Sequence, residues 1–493
     1  MSKFILAIDQ GTTSTRAILF DEKGHITGTA QKELQLYYPE NGWVEQNPED
    51  IWSDTQYVSQ GVMAQHSIHP TNVAAIGITN QRETTIVWDR KTGAPVYNAI
   101  VWQDRRTADM CQKLKDAGLE PTFARKTGLL LDPYFSGTKL RWILDNVEGA
   151  ATRAKNGELA FGTVDCFLLW RLTGGKVHAT DITNASRTLL FNIIEQKWDD
   201  ELLKILGIPA SMLPEVKDNS AHFGDVGAEF LGAPTRVAGM AGDQQAALIG
   251  QACFKPGMVK STYGTGCFAL MNIGGEFKPS QNKMLTTVAY RLNGDINYAI
   301  EGSIFVAGAA VQWLRDGLGI IKSSNETEAI AKSVPDNGGV YMVPAFTGLG
   351  APYWNPHARA SISGLTRGAT SAHLVRAALE AQAYQTEDLM RAMAEDAGYP
   401  MTEIRVDGGM VKNSWVCQFL ADMTATPVLR PTVTETTALG AAYLAGLQVG
   451  MFPSIDYITE SWECERRFTP MMLSADRDKL YEGWQNAVKQ VLA

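Results

Sequence analysis

The chain has 493 residues, of which 45% are hydrophobic, and its formal net charge at pH 7 is −9. This length predicts two or more domains with sizeable cores. The negative charge argues against a protein that binds nucleic acids or anionic membranes. An anionic ligand would therefore need a locally attractive site.

The six cysteines are scattered without paired spacing, so we expect buried free thiols in a reducing compartment rather than disulfides or a zinc site. The first apolar run is too short for a signal peptide. No stretch is long and uncharged enough to be an integral membrane segment. Together these features predict a cytoplasmic protein. The cysteines are Cys111, Cys166, Cys253, Cys267, Cys417 and Cys464.

A β-hairpin with a tip of small residues is predicted at the start of the chain. The apolar run 4–8 breaks at Asp9, turns polar over residues 12–15, and becomes apolar again over 17–20. Such a tip can present backbone N–H groups and hydroxyls to an anion. Asp9 could hold a hydrated Mg²⁺ beside phosphates, and Arg16 adds a positively charged fork. Taken alone, the segment fits an ordinary hairpin with a threonine-rich turn equally well.

Polar clusters follow the next apolar runs. Residues 73–79 predict a buried strand, and Arg82 and Glu83 come soon after it, at the end where α/β folds place ligands. Arg82 can donate to hydroxyl oxygens and Glu83 can accept from hydroxyl hydrogens, which suits a polyhydroxyl ligand. The alternative is a surface ion pair. Trp102, after another short apolar run, fits either an apolar wall for a carbon backbone or the core.

The remainder of the first half predicts further α/β structure. Residues 134–146 predict a turn and an amphipathic helix, and 161–172 a strand. In 237–250, a strand of small residues leads to Asp243 and an alanine-rich helix. Asp243 fits a helix N-cap and also a catalytic carboxylate. A break at 255–257 places the domain boundary here, giving domains 1–252 and 253–493.

A second hairpin opens the second half. Residues 259–270 pass from an apolar run through Gly264-Thr265-Gly266 into another apolar run, which suggests an internal duplication. Two such tips facing each other across a cleft would hold a triphosphate. A strand at 298–300 precedes Glu301 and a helix start. A strand at 404–406, a Gly408-Gly409 turn and a helix at 412–424 predict close approach of backbone to a nucleotide.

Taken together, these motifs resemble the FGGY family of carbohydrate kinases over nearly the whole chain. Both family signatures are present, one at 134–146 with Lys139 and Trp142, the other at 360–380 with His373 and Glu380. The resemblance implies an α/β fold of two ribonuclease-H-like domains flanking a deep cleft, as in actin and the heat-shock chaperones. Segments 80–85, 102–106, 241–245 and 261–266 are most similar to family members that phosphorylate glycerol.

The resemblance also implies roles for individual residues. The glycerol hydroxyls would be held by Arg82, Glu83, Tyr134, Asp243 and Gln244, and the carbon side lined by Trp102 and Phe268. The nucleotide phosphates would meet Thr12, Thr13, Ser14, Arg16 and Thr265, and the adenosine Gly308, Gln312, Gly409 and Asn413. Asp9 and Asp243 would lie near Mg²⁺, and Asp243 would be the general base for ATP-dependent phosphorylation. Members are often dimers or tetramers, so we expect a homodimer or homotetramer.

Two alternatives remain at this stage. One is another FGGY kinase, acting on a ketose such as xylulose or ribulose. The other is a nucleotide-driven binding or assembly protein like actin or the chaperones, which share the two phosphate loops. The Arg82-Glu83 pair, Tyr134 and the Asp243-Gln244 step argue against the second, because that class does not need them.

Overall fold

The computed structural model describes residues 3–355 and 357–493. Its strands are β1 (Phe4–Gln10), β2 (Ser14–Phe20), β3 (Ile26–Glu33), β4 (Glu45–Gln46), β5 (Val73–Asn80), β6 (Ile86–Asp89), β7 (Ala99–Ile100), β8 (Leu159–Gly162), β9 (Ala179–Asp181), β10 (Phe191–Asn192), β11 (Lys197–Trp198), β12 (Glu215–Lys217), β13 (Ser220–Val226), β14 (Thr235–Gly242), β15 (Met258–Tyr263), β16 (Cys267–Gly274), β17 (Leu285–Leu292), β18 (Asp295–Ile304), β19 (Tyr341–Val343), β20 (Ser361–Ser363), β21 (Glu403–Asp407), β22 (Val428–Pro431) and β23 (Cys464–Phe468).

The α-helices are α1 (Pro48–Gln65), α2 (Ala108–Asp116), α3 (Glu120–Thr127), α4 (Ser136–Asn146), α5 (Ala150–Lys155), α6 (Val164–Leu172), α7 (Ile182–Ala185), α8 (Asp200–Leu206), α9 (Ala228–Leu231), α10 (Asp243–Gly250), α11 (Gly308–Asp316), α12 (Thr327–Lys332), α13 (Ser371–Ala397), α14 (Ser414–Thr424), α15 (Thr436–Gln448), α16 (Ile455–Ser461) and α17 (Ser474–Leu492).

Two large sheets share one pattern of strand pairing, which agrees with the predicted duplication. The first has the order β13-β14-β5-β1-β2-β3, and the second β17-β18-β16-β15-β21-β22-β23. In each, the predicted hairpin is antiparallel and its first strand pairs in parallel with a later strand, β5 or β21. Both hairpins predicted from the sequence are therefore confirmed. The predicted division at residue 252 falls in the connection between α10 and β15.

Helices α10 and α15 lie between the two sheets. Helix α15, from the second half of the chain, packs on β1, β5 and β14 of the first sheet, while α10 contacts strands of both sheets. The opposite face of the first sheet is covered by α1 and α6. The opposite face of the second sheet is covered by α13, α14 and α17. Each sheet is thus buried on both faces, which accounts for the nearly continuous apolar runs in its central strands.

The strand register brings the predicted site residues to one edge of the first sheet. Asn80, at the end of β5, pairs with Gln10 of β1 on one side and with Gly242 of β14 on the other. Asp9, Arg82 and Asp243 therefore leave the sheet at the same place, the carboxyl ends of its parallel strands. In the second sheet, Thr262 pairs with Asp407 at the corresponding position.

Three sequence-based predictions were wrong in part. Residues 161–172 were predicted as a strand, but strand β8 ends at Gly162 and α6 follows. A run that is apolar on all sides does not distinguish a buried helix from a buried strand, and all but one residue of α6 are buried. Glu301 lies inside β18, not after a strand. All six cysteines are free thiols, but Cys464 is exposed instead of buried.

Helices α10 and α15 cross at glycines that leave no room for a side chain. A Cβ on Gly440 of α15 would lie 1.8 Å from the carbonyl oxygen of Ala246 in α10. A Cβ on Gly250 would lie 1.9 Å from the carbonyl oxygen of Thr436. The close crossing holds the helix that begins at Asp243 against the second half of the chain.

We expect Gly440→Ala to lower the free energy of unfolding by about 1–3 kcal/mol, because the added methyl group overpacks the crossing. The matched control is Gly61→Ala in α1, where the nearest atom to a Cβ is 4.0 Å away. That variant should be neutral or more stable by up to about 1 kcal/mol, since alanine is the better helix former. Denaturant unfolding of both variants checks this. Equal effects would contradict the steric account.

Candidate active site

The two hairpin tips are turns that join β1 to β2 and β15 to β16, and both are at least partly exposed to solvent. In the first, the backbone N–H of Gly11 donates to the carbonyl of Ser14 at 2.9 Å. In the second, Gly264 donates to the carbonyl of Gly266 at 2.9 Å, and Gly308 at the start of α11 donates to Gly264 at 2.9 Å. The second tip is thus fixed against a helix N-terminus. Thr13 and Thr265 remain solvent-exposed, as a phosphate contact requires.

The first hairpin tip is also held by hydrogen bonds from the side chains of Trp102 and Gln46. The indole Nε1 of Trp102 donates to Thr12 Oγ1 at 2.8 Å. The side chain of Gln46 donates to the carbonyl of Thr12 at 2.6 Å. The position of the predicted phosphate loop is therefore coupled to the residue predicted to line the substrate.

Arg16 is paired with carboxylates from both halves of the chain. Its guanidinium lies 2.8 Å from Asp9 Oδ2 and 2.6 Å from Glu435 Oε2. Coulombic attraction to Asp9 is the main cause of its raised pKa. Arg16 can reach a phosphate only alongside these partners, and it neutralises the buried Asp9 carboxylate.

The residues predicted to hold a polyol are in mutual contact. Arg82 Nε lies 3.3 Å from Asp243 Oδ1, and Arg82 Nη2 lies 3.4 Å from the hydroxyl of Tyr134. The ring of Trp102 lies edge-on to Tyr134 at 5.5 Å and to Phe268 at 6.4 Å, measured between centroids. Three half-buried aromatic rings thus lie beside a group of charged side chains. A short chain of hydroxylated carbons needs such a combination of apolar and charged contacts.

Two of these charged side chains, Arg82 and Glu83, are deeply buried. The side chains of Arg82 and Glu83 are 2% and 1% exposed, so the surface ion pair considered from the sequence was wrong. Glu83 also has a positive φ of 63°, which is uncommon for a residue with a side chain. The hydroxyl of Ser136, at the start of α4, donates to the Glu83 carbonyl at 2.9 Å and helps to hold this turn.

Two further buried charged residues, Arg187 and Glu301, contact Arg82 and Glu83. Arg187 Nε donates to Glu83 Oε1 at 2.6 Å and its Nη2 to Glu301 Oε1 at 3.0 Å. Arg82 donates to both oxygens of Glu301, at 2.6 and 2.9 Å. Burial opposes the charged form of Glu301, but Arg187 and Arg82 outweigh it and hold its pKa at about 2. We call these four residues, Arg82, Glu83, Arg187 and Glu301, the charge cluster.

Asp243 begins α10 and keeps 32% of its side-chain surface exposed. It is the first helical residue and Gly242 is the N-cap, so the predicted capping role was wrong. The surrounding protein desolvates the carboxyl group and raises its pKa above 3.8, while Arg82 and Lys260 oppose the shift. A carboxylate with a raised pKa and a free face toward solvent is suited to accept a proton.

Gln244 is oriented by a buried lysine. Lys260 of β15 donates from Nζ to Gln244 Oε1 and, at 3.4 Å, to the carbonyl of Phe268. Because a lysine only donates, the amide oxygen of Gln244 faces it and the amide NH₂ is left to donate elsewhere. Burial lowers the pKa of Lys260, although Asp407 and Asp243 favour its charge.

Asp9 and Asp243 offer hard oxygen ligands suited to Mg²⁺. They are close enough for the charge of Asp9 to raise the pKa of Asp243. Across residues 3–355 and 357–493, no group of three or more His, Cys, Asp or Glu side chains could hold a metal. A magnesium ion bound mainly through water and phosphate would take only one or two carboxylates from the protein.

A cavity of about 430 Å³ adjoins the second hairpin tip. Five of the residues predicted to meet the nucleotide line it, namely Thr265, Gly308, Gln312, Gly409 and Asn413. The Asn413 side chain caps α14 by accepting from the N–H of Val416 at 3.1 Å and donates to Thr327 Oγ1 at 3.2 Å. The cavity is large enough for a nucleoside, and the second hairpin tip, predicted to bind phosphate, forms part of its lining.

Sequence reasoning missed Arg187, Glu301 and Lys260. Arg187 directly follows the polar segment 180–186, and Glu301 follows the apolar residues 298–300 within β18. Lys260 is a single charge within the buried strand β15. An isolated charge beside or within an apolar run marks Glu301 and Lys260 as buried charges that need partners, but it does not identify those partners. Arg187 carries no such signal, because it follows a polar segment.

No described helix combines the length and the apolar character that crossing a membrane would require. The site joins a cavity of nucleoside size, two hairpin tips with exposed threonines and a group of polar side chains that contains an accessible carboxylate. Chemically, it suits transfer of a phosphoryl group to a hydroxyl, which depends mainly on positioning and on neutralising charge.

Comparison with known proteins agrees with this chemistry. Residues 4–250 match the N-terminal domain of the FGGY family of carbohydrate kinases, and residues 259–449 match its C-terminal domain. The chain is 62% identical over 488 residues to a glycerol kinase of Nitrosomonas eutropha, covering 99% of this chain and 98% of that protein. It is 61% identical over 488 residues to a glycerol kinase of Alcanivorax borkumensis, with the same coverage.

Solved structures agree as well. The crystal structure of Plasmodium falciparum glycerol kinase with ADP superposes with a TM-score of 0.94 at 36% identity, covering 100% of this chain and 99% of that one. A xylulose kinase from Lactobacillus acidophilus superposes with a TM-score of 0.90 at 22% identity, with the same coverage, and shares the fold. The chain belongs to the FGGY family of carbohydrate kinases.

Proposed function

We propose that this kinase transfers the γ-phosphoryl group of ATP to glycerol, which yields ADP and sn-glycerol 3-phosphate. The observation that carries the proposal is the pocket in which buried Arg82 and Glu83 meet Asp243 beneath three aromatic rings. The full-length relatives at about 60% identity, which are named glycerol kinases, support the same substrate.

Hydroxyl groups are bound by matched donors and acceptors. Arg82 and the amide NH₂ of Gln244 donate to glycerol oxygens, Glu83 and Asp243 accept from its hydroxyl hydrogens, and Tyr134 can do either. Trp102 and Phe268 cover the carbon side. Because buried polar groups are left unpaired when a hydroxyl is missing, this pocket rejects analogues that lack one.

The nucleotide occupies the other side of the cleft. Adenosine lies in the cavity bordered by Gly308, Gln312, Gly409 and Asn413. The phosphates extend between the two tips, where Thr12, Thr13, Ser14 and Thr265 donate to them. Arg16 contributes positive charge while it remains paired with Asp9 and Glu435.

In the reaction, a terminal oxygen of glycerol forms a bond to the γ-phosphorus as the bond from that phosphorus to the β–γ bridging oxygen breaks. The hydroxyl proton passes to Asp243, and the electron pair of the broken bond leaves with ADP. Arg82, 3.3 Å from Asp243, keeps the carboxylate oriented. Mg²⁺, when bound near Asp9 and Asp243, would neutralise phosphate charge.

The cellular setting is part of the proposal. We infer a cytoplasmic enzyme, because all six cysteines are free and five of them are buried, as suits a reducing compartment. A homodimer or homotetramer is proposed from the family alone. Light scattering of the purified protein determines which of these forms.

The test of substrate is ADP release from Mg·ATP, with and without glycerol, beside xylulose, ribulose, gluconate and dihydroxyacetone. We expect strong stimulation by glycerol and little by the sugars, because the pocket matches a short triol. Stimulation by a ketose instead would retain the fold but overturn the substrate. ATP hydrolysis indifferent to every polyol would point to a nucleotide-driven binding protein.

Asp243→Asn should fold normally and lower kcat by about 10²–10⁴-fold, because the amide cannot accept the hydroxyl proton. The control is Asp225→Asn, since the Asp225 side chain is 80% exposed on the surface. Steady-state kinetics and thermal unfolding of both variants check this. A kcat near that of the wild type in Asp243→Asn would remove this residue as the base.

A further inference from the structure

The arginine of the polyol pocket is held by a residue from the other half of the chain. Arg82 follows β5 of the first sheet, whereas Glu301 lies within β18 of the second. Their contact is bidentate: Arg82 Nη1 donates to Glu301 Oε2 at 2.6 Å, and Nη2 to Oε1 at 2.9 Å. Such parallel hydrogen bonds fix the plane of a guanidinium as well as its position.

Glu301 also holds the second arginine of the charge cluster. Its Oε1 accepts from Arg187 Nη2 at 3.0 Å, and Arg187 Nε donates to Glu83 at 2.6 Å. The Arg187 guanidinium lies 5.7 Å from the ring centroid of Tyr134. Glu301 therefore connects to three residues of the predicted polyol pocket, directly or through one arginine, although it was not assigned to that pocket itself.

The contact determines which N–H groups of Arg82 face the substrate. Glu301 accepts from both Nη atoms of Arg82, and Gln245 Oε1 also lies 3.2 Å from Nη1. The N–H groups left to contact the substrate are therefore those of Nε, which faces Asp243, and the outer side of Nη2, which faces Tyr134. These are the two residues between which a hydroxyl group would bind. Without Glu301, the guanidinium could rotate and lose this direction.

We propose that Glu301 is a positioning residue for polyol recognition, acting through Arg82 and, by way of Arg187, through Glu83. The inference rests on the proposed function and deepens it. The half of the chain that carries the nucleotide cavity supplies the carboxylate that orients the polyol-binding arginine. The polyol pocket is therefore complete only when the two halves are in contact.

A purely structural ion pair between the halves would behave differently, and the chain provides one for comparison. Arg291 of β17 pairs with Asp218, which precedes β13 in the first half, and Asp218 Oδ2 also accepts from the N–H of Gly294 at 2.8 Å. Neither Arg291 nor Asp218 has a hydrogen bond or ion pair to a residue of the charge cluster. Loss of this pair should affect stability without a selective effect on glycerol.

The experiment compares Glu301→Gln with Asp218→Asn, each of which removes one carboxylate charge and keeps the side-chain shape. KM for glycerol, KM for ATP, kcat and the thermal midpoint are measured for both. We expect Glu301→Gln to raise the glycerol KM by about tenfold to a hundredfold, with a much smaller change in the ATP KM, since misplacement of a binding group by about 1 Å has effects of this order. Asp218→Asn should lower the thermal midpoint and leave both KM values near wild type.

A second variant, Glu301→Asp, tests the role of Glu301 if Glu301→Gln does not fold. Glu301→Asp keeps the charge but shortens the side chain by one methylene, so we expect a folded enzyme with a raised glycerol KM. The inference is overturned if the glycerol KM of the folded variant equals that of the wild type. It is also overturned if the glycerol and ATP KM values rise in parallel.

The wild-type assay separates this inference from the proposed function. A wild-type enzyme without glycerol-dependent ADP release would reject the function itself. A wild type that responds to glycerol, together with a Glu301→Gln variant of unchanged glycerol KM, would reject only the role of Glu301.

Discussion

The burial of four charges between the two halves of the chain is the constraint on which the active site depends. Arg82, Glu83, Arg187 and Glu301 are each no more than 2% exposed, and an unpaired charge at such a depth would be very unfavourable. Two positive and two negative groups alternate in contact, so their charges offset one another. Removal of any one leaves an uncompensated buried charge, which is strongly destabilising. The charge cluster therefore fixes how the charged side chains of the polyol pocket are arranged.

The chain brings these charges together by packing helices closely between its sheets. Helices α10 and α15 cross where Gly250 and Gly440 allow the backbones to touch, and α10 begins at Asp243. The end of β5 and the middle of β18 are thereby brought opposite each other. The contacts that orient the substrate-binding residues are consequently also contacts between the two halves of the chain. This coupling suits a kinase, which must keep water away from ATP until the acceptor is in place.

Much of this architecture could be predicted from local patterns. Both hairpins, the strand before Arg82 and the step from β14 to Asp243 follow from short apolar runs that end in small or charged residues. The resemblance to a family supplied the roles proposed for most of the pocket residues. The helix at 164–172 could not be distinguished from a strand, because its apolar residues are not confined to one face. Arg187, Glu301 and Lys260 could not be assigned, because their partners lie far along the chain and only the fold brings them together.

In the proposed reaction, a polyol and a nucleotide meet in one cleft, with the acceptor hydroxyl beside Asp243. A crystal structure with glycerol and a non-hydrolysable ATP analogue tests this most directly. We expect glycerol to be hydrogen-bonded to Arg82 and Glu83, with a terminal oxygen at hydrogen-bond distance from Asp243, and the adenine to lie in the cavity near Asn413. Glycerol bound away from the charge cluster, or a γ-phosphate directed away from Asp243, would contradict it.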